Sequence, residues 1–140
     1  MMFREYPAAA VLGLMILTGC ASRPTKPVEN LGGANDVSSL ALKSLEGIRD
    51  GERLEAHALY GDDSRTLKVD MLFNVTPPAR LVSGTWSGLA GEGAVRERSV
   101  TFLGGQSGPP SLGGSFDLIG PDSRPQYRVT VPLQELKHPR

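Results

Sequence analysis

The clearest pattern in this chain is apolar and polar residues alternating at every second position. Leu67, Val69, Met71, Phe73 and Val75 alternate with Thr66, Lys68, Asp70 and Asn74. A helix would scatter those five around its circumference, whereas a strand places them on one face, so 66–75 is a half-buried strand. Leu54, Ala56, Ala58 and Tyr60 repeat the pattern against Arg53, Glu55 and His57, and Gly61-Asp62-Asp63-Ser64 between the two runs is turn chemistry. Pro77-Pro78 stops the first-named strand, because proline has no N–H for a ladder.

Further strands are expected over Arg80–Ser87 with Val82 and Trp86, over Arg96–Leu103 with Val100 and Phe102 on one face, and over Ser115–Gly120. In the last, Tyr127–Leu133, residues Tyr127, Val129, Val131 and Leu133 share one face. Gly88, Gly91 and Gly93 are read as a flexible loop, and Gly104–Gly114 as a long one. Residues 37–48 fit two patterns. Val37, Leu40, Ala41, Leu45 and Ile48 make a helical stripe that Asn35 or Asp36 could cap, yet Leu40 and Leu42 alternate with polar neighbours and Asp50-Gly51 is a hairpin signal. A strand is preferred.

Six or seven short strands at this spacing predict an all-β fold, a small antiparallel β-sandwich, with an α+β domain carrying one helix at about 37–48 as the alternative. The order of apolar strands and the Asp50-Gly51 turn loosely resemble small immunoglobulin-like lipoprotein domains. The 140 residues fit one domain, and Gly 17 with Pro 11 favours many short elements joined by turns.

The first 20 residues follow a different logic. A short charged start, an apolar run from Ala8 to Leu17 and the small residues before Cys20 have the layout of an export signal, and the run is too short for the roughly 20 residues of a membrane span. Leu17-Thr18-Gly19-Cys20 resembles the lipobox of bacterial lipoproteins. The resemblance implies cleavage before Cys20, a diacylglycerol on its thiol and acylation of the new amine, which anchors the chain stably. The same resemblance makes Ala21, where that family carries Asp for inner-membrane retention, a pointer to the outer membrane facing the periplasm in an organism with two membranes. The organisation expected is a signal at 1–19, a lipidated flexible tether at 20–35 containing Pro24, Pro27, Gly32 and Gly33, and a β-rich domain at 36–140.

Fifteen basic residues balance fifteen acidic ones, which gives no field towards nucleic acid. One cysteine excludes an internal disulfide, and with only His57 and His138 beside it no metal site or other cofactor is expected. His57 belongs on the wet face of its strand, and Asp62-Asp63 lacks the spacing of a calcium loop. There is no Gly-x-Ser-x-Gly elbow, and the glycine-rich stretches lack the Lys-Ser/Thr of a phosphate loop. Asn74-Val75-Thr76 matches a glycosylation acceptor by chance in a bacterial protein. Candidate surface residues are Trp86, which lies beside Gly84 and Gly88 and could stack on a sugar, and Arg96 and Arg98 after the glycine loop. The expectation is a non-enzymatic, membrane-anchored accessory lipoprotein that binds another envelope protein. An envelope glycan or ligand-binding module is the alternative, and a small hydrolase using His57 the last.

Overall fold

The computed structural model describes residues 26–104 and 109–139. They form eight strands: β1 (Val28–Asn30), β2 (Ala41–Asp50), β3 (Arg53–Gly61), β4 (Thr66–Asn74), β5 (Arg80–Gly88), β6 (Gly91–Leu103), β7 (Ser111–Ile119) and β8 (Pro125–Glu135). All pair antiparallel in one curled sheet of order β1-β8-β7-β6-β5-β4-β3-β2. The domain is therefore all-β and sandwich-like, with a single core between two halves of one sheet. From β2 to β8 each strand pairs with the next in sequence, where an immunoglobulin-like sandwich crosses between two sheets.

The period-two runs dictate the core. Leu54, Ala56, Ala58 and Tyr60 of β3 and Leu67, Val69, Met71 and Phe73 of β4 are all buried, in register across Leu54↔Phe73 and Tyr60↔Leu67. Phe116, Leu118, Tyr127 and Val129 line the opposite wall, with Phe73 and Phe116 edge to face at 5.9 Å. Tyr60 is buried, and its hydroxyl donates to the Thr130 carbonyl at 2.8 Å across the core. That burial pushes its pKa far above the ordinary phenol value. The curl is closed at its far side by the segment after β8. The Gly47 N–H donates to the Lys137 carbonyl, the Lys137 N–H donates to the Leu45 carbonyl, and Leu136 packs over Gly47.

Several local expectations change. Residues 41–50 are strand, so the helix alternative does not hold, and its helical spacing has a physical cause. Lys43 is an extra residue in β2, a bulge that places Leu42 and Leu45 three apart on the inner side. A bulge in β8 likewise turns Leu133 outward, 49% exposed, although it continues the alternation of Tyr127, Val129 and Val131. Val28–Asn30, within the expected tether, is a strand on β8 with Val28 buried.

Glycine-rich stretches are also more regular than expected. Gly88 and Gly91 end β5 and begin β6, and the two-residue turn between them is made by Leu89 and Ala90, both at positive φ. Ser111–Gly114 belongs to β7 rather than to a loop. A side chain on Gly113 would meet the Leu133 backbone, and one on Gly114 would meet the Ser99 carbonyl, so the small residues let neighbouring strands approach.

Candidate interaction surface

The β5–β6 ladder stops early. Pairing runs from Gly88↔Gly91 to Thr85↔Ala94, although β5 begins at Arg80 and β6 continues to Leu103. Gly84 has no side chain where the Val95 side chain crosses it, and beyond that point the strands part. The Leu81 N–H, lacking a ladder partner on β6, donates to the Glu97 carboxylate at 2.7 Å. Arg80 closes the same contact, its Nε donating to Glu97 Oε1 at 3.2 Å. β6 then carries a bulge between Glu97 and Ser99 and runs on to Leu103 paired with β7 alone.

This edge exposes apolar surface. Val100 and Phe102 are only partly buried, packed against the core, while Leu103 is 53% exposed and Val82 on β5 is 61% exposed. The Arg49 guanidinium lies 5.4 Å from the centre of the Phe102 ring, and Arg49 Nη1 donates to the Gly104 carbonyl at 3.3 Å. Arg96 and Arg98 stand on the outer face of the same strand, opposite Asp117 and Phe116 of β7.

A second feature covers the outer face of β6, β7 and β8. Asp117 of β7 is buried despite its charge and sits between two arginines. Arg128 Nε donates to Asp117 Oδ1 at 2.8 Å, and Arg98 Nη1 lies 3.9 Å from Asp117 Oδ2, an ion pair without a hydrogen bond. The hydrogen bond to Asp117 holds the Arg128 guanidinium above its ordinary value. Alongside runs an open groove of about 520 Å³, lined by Arg98, Thr101, Gly114, Ser115, Arg128 and Thr130. Its floor is low because β7 carries glycine and serine there. Glu29 borders it, so the groove offers guanidinium and hydroxyl groups with little net charge.

The three surface candidates therefore separate. Arg96 and Arg98 lie on the free-edged strand, and Arg98 also lines the groove. Trp86 is a correction. It is 2% exposed, its Nε1 donates to the Ile119 carbonyl at 2.9 Å, and its ring meets Tyr127 edge to face at 5.9 Å. Parity explains it: Trp86 pairs with Val69 and Gly93, and the absent side chain of Gly93 leaves room for the indole. A buried indole offers no stacking platform. Cys20 and the lipobox fall outside the described residues.

The remaining polar groups have local explanations. His57 is exposed on β3 and pairs through Nδ1 with Asp70 Oδ1 of β4 at 2.7 Å, with no serine in the contact. Asp62 organises the β3–β4 turn. It accepts from Ser39 Oγ at 2.7 Å, from the Ser64 and Arg65 N–H groups at 2.9 and 2.8 Å, and from Arg65 Nη2 at 2.8 Å. The Ser39 hydroxyl first, then the Ser64 N–H and Arg65, hold its carboxyl far below the ordinary range. Among the described residues no group of three His, Cys, Asp or Glu side chains is arranged to hold a metal ion. The chain matches no family model, no curated protein and no solved structure.

Sequence reasoning identified Arg96 and Arg98 from their charge but missed the edge they flank. The available signal was faint: Gly84 and the charged Arg96-Glu97-Arg98 triplet interrupt two otherwise apolar strands.

Proposed function

We propose that this protein is a membrane-anchored envelope lipoprotein of non-enzymatic, accessory type whose β-domain binds another envelope protein. The anchor rests on the lipobox resemblance at Leu17-Thr18-Gly19-Cys20, with lipid on Cys20. The binding role rests on one observation, the break in the β5–β6 ladder that leaves Val95–Leu103 paired on one side only. An unpaired strand edge offers backbone donors and acceptors to an extended segment of another chain. The site favoured is the outer membrane facing the periplasm in an organism with two membranes.

The test is crosslinking in intact cells that carry the wild-type chain or Cys20→Ala, followed by identification of the captured protein. A discrete partner captured by the anchored form alone supports the role. Equal capture by both forms removes the anchor from it, and no capture removes the partner. A second reading, a module for an envelope glycan or other ligand, is favoured by the groove beside Arg98 and Arg128 with its row of hydroxyls. Wall glycan recovered in place of protein, and lost with Arg98→Ala, would shift the assignment to that groove.

A further inference from the structure

We propose that the free edge of β6 at Ser99–Leu103 takes up an extended segment of the partner as an added strand, and that this segment alternates apolar and acidic side chains. The proposal rests on the protein-binding role above and names the chemistry of the partner.

The backbone sets the shape of the occupant. The β6 run beyond Ala94 has β7 on one side and no strand on the other. The other sheet margins are shorter or covered: β1 has three residues, and β2 is bridged over Leu45–Gly47 by the segment around Lys137. Glu97 already satisfies the Leu81 N–H, so the opening lies beyond it, where β6 passes the start of β5. A segment of about five residues, roughly 17 Å long, matches Ser99–Leu103.

The two faces of β6 set its side chains. Val100 and Phe102 point inward and are incompletely covered, so inward side chains of an added strand would extend the core if apolar. The outer face carries Arg96 and Arg98, with Arg80 exposed nearby, and the one carboxylate among them, Glu97, is engaged by Arg80. Outward side chains of the added strand therefore meet guanidinium groups and fit best if acidic. A second copy of the chain fits poorly, because pairing this edge with itself brings arginines against arginines. The bulge and the charges also deter strands that lack the complementary pattern.

The test uses the full-length chain and three labelled eight-residue peptides: alternating Asp and Val, alternating Lys and Val, and the Asp-Val peptide N-methylated at each Val. Binding is read by fluorescence anisotropy and located by amide hydrogen exchange. The Asp-Val peptide should bind and slow exchange within Ser99–Leu103. Reversing the charge or blocking the peptide N–H groups should each weaken binding by about tenfold or more. Arg96→Glu should weaken it by about fivefold or more, while Arg124→Glu, exposed on the β7–β8 turn, should leave it unchanged. The proposal is overturned if the Asp-Val peptide does not bind, binds no better than its two counterparts, or protects amides elsewhere. A protein captured in cells without Asp-Val binding would leave the accessory role standing and remove this edge from it. Failure of both would remove both.

Discussion

Trp86→Phe is the sharpest probe of the packing described here, because Trp86 is the only tryptophan and reports on its own surroundings. In the folded chain the indole is 2% exposed, donates to the Ile119 carbonyl at 2.9 Å and packs edge to face on Tyr127. Phenylalanine keeps an aromatic ring near Tyr127 but cannot donate. The Ile119 carbonyl then loses its side-chain donor, a loss of about 1–2 kcal/mol for a buried acceptor left unpaired. The smaller ring also leaves a void, and at about 24 cal/mol per Å³ a residual cavity of roughly 40 Å³ costs about 1 kcal/mol. The expected loss is about 2–3 kcal/mol. With a urea slope of about 1–1.5 kcal/mol/M for a domain of this size, the midpoint should fall by about 1.5–2 M. Circular dichroism follows the unfolding of both forms. In the native wild type, the emission should be blue-shifted and acrylamide should quench it poorly. A loss below about 0.5 kcal/mol, in the range of ordinary surface substitutions, together with quenching like that of free tryptophan, would refute the burial on which this reasoning stands.

The same corner makes a second test. A side chain on Gly93 would collide with the Ile119 carbonyl and press on Trp86 Nε1, so Gly93→Ala should lose about 2 kcal/mol or more, and the double variant with Trp86→Phe should lose less than the sum in urea titrations. On the outer face, Arg128→Met should cost about 1–2 kcal/mol and Arg98→Met about 0.5 kcal/mol or less, because only Arg128 hydrogen-bonds the buried Asp117 carboxylate. Paired thermal unfolding curves would check that order, and equal losses would contradict it. Asp62 should make stability depend on acid. Its folded pKa lies below the ordinary 3.8, so its stabilisation is complete above that value and is lost as pH falls towards the folded pKa. Asp62→Asn should thus be less stable than wild type at pH 7, with the gap narrowing below about pH 4 in urea midpoints taken across the range.

Much of the fold was legible in the chain itself. Period-two alternation is local, and where no bulge intervenes it survives folding intact, as in β3 and β4, whose buried residues are the ones the pattern selects. The Asp50-Gly51 and Gly61–Ser64 signals lie at the turns that join these strands to their neighbours. The failures cluster where one extra residue changes parity. The bulges in β2 and β8 convert alternation into a helix-like spacing at Leu42 and Leu45 and into an outward turn at Leu133. A bulge is a property of two paired strands, so one strand's sequence does not display it.

The candidate surface follows the same division. The chain alone carried the charges of Arg96 and Arg98, the apolar residues of β6 and the lipobox resemblance at Cys20. Only the tertiary structure decided that Trp86 faces inward, that Gly113 and Gly114 sit within a strand, and that Val28–Asn30 joins β8. It alone decided that β5 and β6 part after Thr85↔Ala94 and leave an edge open. The reason is physical: alternation and turn chemistry are set by neighbours along the chain, whereas burial, register and the place where two strands separate depend on packing between residues distant in sequence.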